Sequence, residues 1–438
     1  MVTDILTVLN ETLSPTNLRN FGIIIESILG VSDRANMLSI SRMSSLSYRT
    51  IQRFYALKDI DWKSIQLLLF IKFFYKKEHN YLLAADETVQ KKAGKETYGH
   101  NRFYSSLYQK VISSVSFLAI SIVDINTERS SILGIEQLIC PPRKKKEVIK
   151  KKGVKKPKGR PKGSKNKPKE ESQSASYQFL KTLLTLINSQ LKELLPDLKC
   201  NHLVLDGFYG NHHYVQLAEQ FQLFLISKLK KNSHLNFCYQ GKQKPKGRPR
   251  ILGEKVDFYN LDKKYFQEET FDKETGITTS IYQFEAFTRK MKSHCKINVV
   301  VILTEKNDQI GKAILFSTDL SLDAKTLINY YSLRFQIEFD FRDAKQFYGL
   351  SDFKNYKSTQ VTNAVNIAFS MTSIGRVILE KYKNMIGCED MGILDLKATF
   401  RTLKYAEIIL NNEEFDPIQF LNTKEFKRIV QLEAIHII

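Results

Sequence analysis

A run of positive charge divides this chain into two parts, and folded structure must be built from the residues on either side of it. Residues 143–169 contain fifteen Lys or Arg and a single acid, Glu147, which gives the run a net charge of +14. A segment of this composition buries too little apolar surface to offset the entropy that is lost on ordering. We therefore expect it to be disordered when it is not bound to a partner.

The charge of the whole chain indicates a polyanionic partner. Its 438 residues include 67 Lys or Arg and 46 Asp or Glu, a formal charge of +21. Nucleic acid is the first candidate, because phosphate contacts release condensed counterions. An anionic membrane surface is a weaker alternative, since no basic amphipathic helix is evident. The most apolar window, residues 65–74, is interrupted by Lys72 and is too short to span a bilayer, so we expect no membrane partner.

Cysteine usage and the N-terminus indicate the compartment. The five cysteines are scattered and form no C-x-x-C pair, which argues against a disulfide framework or a zinc site and fits a reducing cytoplasm. Asp4 and Glu11 flank a short apolar stretch that does not resemble a secretory signal. We expect a soluble cytoplasmic protein, associated with the nucleoid of a prokaryotic cell if its partner is DNA.

Residues 1–78 have apolar side chains at helical spacing and few Gly or Pro, which predicts a helical N-terminal domain. Two short helices could meet at residues 44–47, with Ser47 as the N-cap of a second helix that presents Arg49 and Arg53. Such a helix-turn-helix could place its second helix in a DNA major groove. The alternative is an ordinary helical subdomain with a solvated basic face.

The hydrophobic pattern changes from helical to strand-like near residue 80. Strands are predicted at 81–85, 113–125, 131–139, 202–205 and 223–228, with helices at 175–195 and 212–221. Residues 235–318 are rich in strand pattern, a long helix is predicted at 325–347, and the tail to residue 438 has a helical pattern. This order predicts an α/β fold whose mixed sheet is interrupted late by a β-rich insertion.

Two aspartates follow apolar runs in the same local setting. Asp86 follows LLAA and Asp206 follows HLVL, so each is expected at the carboxyl end of a buried strand. Two carboxylates side by side repel each other unless a cation lies between them, and Mg²⁺ prefers oxygen ligands of this kind. The alternative is that each Asp only begins a turn, which is common.

The predicted helix at 325–347 carries four polar side chains on one face. Tyr331, Arg334, Glu338 and Lys345 fall within about 60° of one another when each residue turns the helix by about 100°. A phosphate held at metal ions bound by Glu338 would then lie within reach of Arg334 and Lys345. The alternative is a solvated helix face with charges at helical spacing.

Two further acids lie on the same predicted helix. Asp340 projects to the apolar side of the helix, and Asp343 lies about 120° from Tyr331 at about 100° per residue. Glu338 is therefore the preferred third acid beside Asp86 and Asp206.

Four residues of this helix match the pattern Y-x2-R-x3-E-x6-K: Tyr331, Arg334, Glu338 and Lys345. The pattern resembles the signature of a large group of bacterial insertion-sequence DDE transposases, the insertion sequence four type. The segments LLAADET at Asp86 and VLDGFYGN at Asp206 are similar to those that carry this family's first and second catalytic aspartates. The β-rich stretch before Glu338 matches the position at which this group inserts a strand domain into its RNase H-like core.

The resemblance covers residues 80–350 and implies the order of the domains there, whereas residues 1–78 and 355–438 are assigned by position alone. A helical DNA-binding domain would be followed by an RNase H-like mixed-sheet catalytic core that contains the basic segment 141–172. A β-rich insertion, a catalytic helix and a helical C-terminal region would complete the chain. The expected bounds are 1–78, 79–234, 235–318, 319–354 and 355–438.

The resemblance also implies a metal-dependent activity. Asp86, Asp206 and Glu338 would be catalytic and would bind two Mg²⁺ ions, for which Mn²⁺ can substitute. The residues expected to bind DNA phosphates are Tyr331, Arg334 and Lys345. The partners would be double-stranded terminal inverted repeats and target DNA, with two copies of the enzyme pairing two ends as a homodimer. Two alternatives stay open: an inactive AT-rich DNA-binding protein derived from a transposase, and an RNase H-like nuclease without strand transfer.

Two Gly-Arg-Pro segments resemble AT-hooks. The sequence PKGRPKGSKNK contains Arg160, and a second copy, PKGRPR, contains Arg248. An extended basic segment of this kind fits a narrow minor groove, where Arg meets an enhanced negative potential. The alternative is a generic basic linker that is held on DNA by charge alone.

The chain departs from the family at one aromatic position. Members often stack a flipped DNA base on a Trp in or near the insertion, whereas the one Trp here, Trp62, lies in the N-terminal region. Tyr282 or Phe287 would then have to serve. His212 and His213 could be ligands, but a place on the opening turn of a helix is the preferred interpretation.

Overall fold

The structure, a computed structural model, describes residues 2–140, 174–288, 295–386, 389–410, 423–425 and 428. The basic run at 143–169, with Arg160, lies outside the described residues, and so does most of the chain beyond residue 410. The predictions made for those residues stay predictions.

The described part of the chain begins with five helices, continues with twelve strands that have two helices among them, and ends with four helices. The helices are α1 (Val2–Val8), α2 (Pro15–Gly30), α3 (Met37–Met43), α4 (Tyr48–Tyr55), α5 (Trp62–Phe73), α6 (Ala175–Leu194), α7 (His212–Gln220), α8 (Ala324–Leu333), α9 (Gln336–Gln346), α10 (Ser358–Ile386) and α11 (Ile393–Leu410). The strands are β1 (Asn80–Lys91), β2 (Asn101–Ser105), β3 (Lys110–Asp124), β4 (Arg129–Gln137), β5 (Lys199–Leu205), β6 (Phe224–Leu229), β7 (Leu235–Cys238), β8 (Leu252–Lys255), β9 (Phe266–Asp272), β10 (Ile277–Thr288), β11 (Lys296–Lys306) and β12 (Gln309–Ser317). A short 3-10 helix, Gly207–Tyr209, follows β5.

The described strands form one mixed sheet. Its order is β2-β3-β1-β5-β6-β12-β11-β10-β7-β8, with β4 also paired to β3 and β9 to β10. Strand β3 is antiparallel to both β1 and β4, whereas β5 is parallel to β1 and β6 is parallel to β5. The fold is therefore mixed α/β, as expected. The strands of the β-rich stretch extend the same sheet, because β12 pairs with β6.

Alternation along β1 sends its side chains into two different cores. Leu83 and Ala85 pack with the apolar faces of α6 and α7, whereas Leu82 and Ala84 pack with α8 on the other side of the sheet. Because successive side chains of a strand point to opposite faces, Asp86 is directed to the same side as Leu82 and Ala84. The first aspartate therefore faces the layer that holds α8 and α9.

The N-terminal helices share a hydrophobic core with α9, α10 and one end of the sheet. Phe21 stacks on Phe54 with ring centroids 5.8 Å apart, and the indole Nε1 of Trp62 donates to Asn363 Oδ1 in α10 at 2.8 Å. Ser47 caps α4 as predicted, since its hydroxyl accepts from the backbone N–H of Thr50 at 3.2 Å. Trp62 is thus a core residue of this helical layer.

Strand β1 does not end at Asp86, as the sequence predicted, but continues to Lys91. The long partner β3 supports the extra residues, because the pairing runs without interruption from Asp86 opposite Ala119 to Lys91 opposite Ser114. The parallel partner β5 stops one residue earlier, where its last residue pairs with Ala85. Asp86 therefore lies at the point where the neighbouring parallel strand ends.

The continuous helix predicted at 325–347 is also wrong in one respect, because it is divided into α8 and α9 at Arg334 and Phe335. Both residues keep αR backbone angles, and the junction is tightened by i→i−3 hydrogen bonds from Phe335 N to Ser332 O and from Ile337 N to Arg334 O. A tightened turn of this kind inside a helix often marks a functional hinge or a strained segment. The junction sets Arg334 between the two helices.

Candidate active site

The two predicted aspartates lie side by side at the end of the parallel strands. Ala85 and Leu205 are the last parallel pair of β1 and β5, so Asp86 and Asp206 follow on strands about 4.8 Å apart. Asp206 begins the 3-10 helix, and its backbone carbonyl accepts a hydrogen bond from the Ser227 hydroxyl of β6 at 2.9 Å. The end of β5 and its contact with β6 therefore fix Asp206 beside β1, which continues past Asp86.

Arg334 joins the first aspartate to the predicted third acid. Its side chain is only 5% exposed, and its Nη1 lies 2.8 Å from Asp86 Oδ2 and 3.2 Å from Glu338 Oε1. Its Nε is buried without a hydrogen-bond partner. Arg334 was predicted to bind a DNA phosphate, whereas in this structure its guanidinium neutralises the acids.

Burial dominates the electrostatics of Asp86. It raises the pKa of this carboxyl to about 6, although Arg334 and the backbone N–H of Glu87 favour the charged form. The negative charges of Asp206 and Glu338 raise the pKa further. Three acids thus share one buried guanidinium, and an additional cation would relieve the remaining repulsion.

The other two residues of the signature lie on either side of this group. Burial raises the pKa of Tyr331 to about 12, with the charge of Asp206 acting in the same direction, and the Arg334 guanidinium lies 5.8 Å from the Tyr331 ring centroid. Burial lowers the pKa of the Lys345 amine, which forms no hydrogen bond or ion pair with the described residues. Lys345 is therefore free to bind an anion from solution.

A cleft of about 860 Å³ opens over the acids. It is bounded by β1, by the loop between β2 and β3, and by α9. Asp86, Asp206 and Glu338 all line it, together with Arg334 and Lys345. The structure thus brings five of the sequence-predicted site residues to one cavity.

The three carboxylates are suitable ligands for a divalent cation, but in this structure their positions do not form a metal site. Among the described residues, no three His, Cys, Asp or Glu side chains converge closely enough to hold a metal ion. The Arg334 guanidinium lies between Asp86 and Glu338 and takes the place of a cation there. All three candidate ligands offer carboxylate oxygens beside an open cleft, which is the donor set that Mg²⁺ and Mn²⁺ prefer.

The two other acids of α9, Asp340 and Asp343, do not face the cleft. Asp340 is fully buried, and it accepts from Ser130 Oγ at 2.6 Å and from Arg376 Nη2 at 2.9 Å. Asp343 forms an ion pair with its neighbour Arg342 at 3.0 Å. Neither acid lines the cleft, whereas Glu338 does.

The other predicted DNA contacts lie away from this cleft. Arg49 and Arg53 are exposed on α4, so their contact with DNA stays a prediction that either interpretation of the helix pair allows. Arg248 is exposed in the loop between β7 and β8, after Gly247, whose φ of +105° favours glycine. Arg160 lies outside the described residues.

The aromatic residues proposed for base stacking are also distant. Tyr282 and Phe287 lie on β10, five strands from β1 in the sheet order, which corresponds to about 24 Å at about 4.8 Å per strand. Tyr282 contacts Phe266 of the neighbouring strand β9. His212 is buried in the first turn of α7 and His213 is exposed beside it, as the preferred interpretation expects.

Sequence reasoning missed a pair that ties the two aspartate segments together. The Glu87 carboxylate accepts from Tyr209 Oη at 2.9 Å and from Ser176 Oγ at 2.6 Å. Glu87 follows Asp86, and Tyr209 lies three residues after Asp206, so this bond holds both segments at one spacing. The only signal in the sequence was the position of these residues beside the aspartates.

One of three comparisons with known proteins assigns the chain to a family. A family model described as DDE superfamily endonuclease matches residues 9–277, more than half of the chain, including Asp86 and Asp206 but not Glu338. No curated protein matches the chain. The crystal structure of the NurA nuclease from Sulfolobus solfataricus is 12% identical over 78% of this chain and 95% of that chain, with a TM-score of 0.22, which is too low to establish a shared fold.

No helix in the described part of the chain is long and apolar enough to cross a membrane.

Proposed function

Because the chain belongs to the DDE superfamily endonuclease family, and is therefore a nuclease that acts on DNA, we propose that it is a transposase. It would cleave DNA at the ends of an insertion sequence and join those ends to target DNA. The observation that carries the proposal is the meeting of Asp86, Asp206 and Glu338 at one cleft, with the rest of the helix signature beside them.

The strand order supports an RNase H-like catalytic core. Three antiparallel strands, β4, β3 and β1, are followed by β5 and β6, which run parallel to β1. The family resemblance implies a mixed sheet, and this sheet contains both antiparallel and parallel pairs. Asp86 on β1 and Asp206 after β5 would then be the family's first two acids.

Asp86, Asp206 and Glu338 would bind the divalent ions, Mg²⁺ or Mn²⁺. Such ions, when bound, activate water or a 3′-hydroxyl and stabilise the leaving oxygen of a phosphodiester. Binding requires Arg334 to leave the carboxylates, because its guanidinium now lies between two of them. A DNA phosphate carries the same negative charge as a carboxylate and offers this guanidinium a bidentate partner in its place.

The remaining residues of the signature would position the DNA rather than read its sequence. Lys345 lines the cleft with no partner among the described residues and can bind a phosphate there. Tyr331 packs beside Arg334 and would limit the directions in which the guanidinium can move. These groups would hold the scissile phosphate over the acids.

More distant basic residues would bind the flanking duplex. We expect Arg49 and Arg53 to contact the terminal inverted repeat, and Arg160 and Arg248 to enter AT-rich minor grooves. A homodimer would pair two ends, and such a protein would be associated with the nucleoid.

The test is cleavage of a labelled duplex that carries one end of the element, with Mg²⁺ or Mn²⁺. We expect the wild-type protein to nick at the end and Glu338→Gln to lose at least about a thousandfold in rate, because a metal ligand contributes several kcal/mol to transition-state stabilisation. Binding of the duplex should remain. The matched control is Glu305→Gln, which changes an exposed acid of β11 and should cleave like the wild type.

The outcomes separate the remaining alternatives. Joining of a pre-cut 3′-end to a target plasmid would support the transposase, whereas hydrolysis without joining would identify a nuclease without strand transfer. Tight binding without any cut, with several metals and end sequences, would indicate an inactive DNA-binding protein. Full cleavage by Glu338→Gln would remove this residue from the site.

A further inference from the structure

An exposed apolar surface lies at the tip of the hairpin formed by β2 and β3. Tyr104 is 62% exposed and Leu107 is 82% exposed, and Tyr108 and Val111 are also exposed. Tyr104 and Val111 are direct cross-strand partners on the outer face of the hairpin. The inner face packs on the protein core through Phe103, so the outer residues are not needed to hold the hairpin in place.

The tip is a preformed element rather than a loose loop. Ser105 pairs with Lys110, and residues 106–109 close the turn through a hydrogen bond from Gln109 N to Ser106 O at 3.3 Å. Gln109 has a φ of +48°, which fixes the direction of the chain at this point. A ligand that binds here would therefore order few additional residues, which lowers the cost of binding.

The same tip forms one wall of the catalytic cleft, together with the three acids. Strand β1 ends at Lys91, opposite Ser114, so residues 110–113 of β3 extend beyond it and pair with β2. Lys110, at the tip, lies nine residues along β3 from Ala119, the partner of Asp86, which is at most about 31 Å at about 3.4 Å per residue. DNA bound at the acids would therefore reach the tip within about nine nucleotides, since one base step rises about 3.4 Å.

Positive charge surrounds the apolar tip. The Lys91 ammonium lies 5.6 Å from the centroid of the Tyr108 ring, and Arg102 and Lys110 are exposed on the same hairpin. Aromatic side chains interleaved with cations are suited to unpaired nucleic acid, because bases stack on the rings while phosphates pair with the cations.

We propose that the tip, residues 104–111, binds unpaired or unstacked DNA bases within about nine nucleotides of the cleaved bond. The proposal rests on the proposed function of the cleft and adds to it a second contact, made through base faces rather than through phosphates. Such a contact tolerates any sequence, since every base has a flat apolar face. It would favour DNA whose strands are already separated near the cut.

The experiment compares binding of a blunt duplex with binding of the same duplex carrying a short unpaired arm. Affinities are measured in EDTA by fluorescence anisotropy, so the result does not depend on cleavage. We expect the wild-type protein to prefer the forked DNA by about tenfold or more, because stacking of even one base contributes about that much. The triple variant Tyr104→Ser, Leu107→Ser and Tyr108→Ser should bind both DNAs equally.

Two control variants make the result specific. Tyr104→Phe with Tyr108→Phe keeps both rings and should keep the preference for the fork. Phe271→Ser removes an exposed aromatic of β9 that does not line the cleft, and it should behave like the wild type. Near-ultraviolet circular dichroism and thermal melting of the triple variant check that it is folded.

The outcomes distinguish this proposal from the proposed function. A fork preference that is unchanged in a folded triple variant overturns the role of the tip, whatever the cleavage assay gives. A preference that depends on the tip, in a protein that cuts no DNA, supports the tip and overturns the catalytic proposal. A triple variant that changes its oligomeric state but not its fork preference would instead assign the tip to contact with a second copy.

Discussion

Helix α9 separates two arginine–carboxylate groups that contain the same chemical partners in different surroundings. On the cleft side, Arg334 contacts Asp86 and Glu338. On the core side, Arg376 of α10 contacts Asp340 and the backbone carbonyl of Ser130. Glu338 and Asp340 are only two residues apart, so one turn of helix presents one acid to the cleft and one to the core.

The two groups differ in how many of their polar atoms have hydrogen-bond partners. Both oxygens of Asp340 have donors, from Ser130 and from Arg376, and the carboxylate is 1% exposed. Glu338 is 47% exposed, and the Nε of Arg334 has no partner. A buried polar group with every bond made holds its neighbours rigidly, whereas an incompletely paired one can exchange partners. The core group therefore fixes α9, and the cleft group can bind ligands.

The largest expected effect comes from breaking the core group. Arg376→Met leaves Asp340 buried without its counter-ion, so we expect the free energy of unfolding to fall by about 3 kcal/mol. Unfolding in urea, followed by circular dichroism, measures the change. The double variant Arg376→Met with Asp340→Leu should recover most of the loss, because a well-packed apolar pair often replaces a buried ion pair without cost. A single variant as stable as the wild type would show that this group does not anchor α9.

Breaking the cleft group is expected to have a smaller effect, and this effect is a gain in metal affinity rather than a loss of stability. Arg334→Gln removes the guanidinium that competes with metal ions for Asp86 and Glu338, so Mn²⁺ should bind about tenfold more tightly in the absence of DNA. Electron paramagnetic resonance of Mn²⁺ titrations gives the affinity. Arg342→Gln is the matched control, because Arg342 lines the same cleft but pairs with Asp343. Weaker metal binding in Arg334→Gln would mean that Arg334 organises the ligands rather than competing for them.

The smallest effect concerns pH. Burial raises the pKa of Asp86 to about 6, so this ligand is mostly charged above that pH and is protonated as the pH falls through it. Mn²⁺ affinity should therefore be about fourfold weaker at about pH 5.5 than at about pH 7.5, because this carboxyl is mostly protonated at the lower pH. In Arg334→Gln the midpoint should move upward, since Arg334 favours the charged form. An affinity that does not change over this range would contradict a raised pKa at a metal ligand.

The sequence predicted the order of elements well where the hydrophobic period was clear. Helices α6 and α7 and strands β3 to β6 lie within a few residues of their predicted positions. Strand β2 was missed because its exposed residues alternate with only partly buried ones. The end of β1 was wrong because pairing with a long partner, which no local pattern reveals, carries the strand past Asp86.

The helix signature was predicted as one face of a single helix, yet the residues meet across a junction. Tyr331 lies on α8, Arg334 at the junction, and Glu338 and Lys345 on α9. Spacing identified the residues, because Arg334 and Phe335 keep αR backbone angles between the two helices. It did not predict that Arg334 pairs with Asp86, since the two are 248 residues apart in sequence.

The sequence alone determined the residue types of the proposed site: three acids, a helix signature and a large excess of positive charge. Local apolar runs placed Asp86 and Asp206 beside buried strands, because the hydrophobic pattern of neighbouring residues predicts which segments are buried. Only the tertiary structure decided that Arg334 lies between the acids, that Asp340 is held in the core, and that the hairpin tip borders the cleft. These contacts join segments that are distant along the chain, and their energies depend on burial and distance, which a linear pattern does not contain.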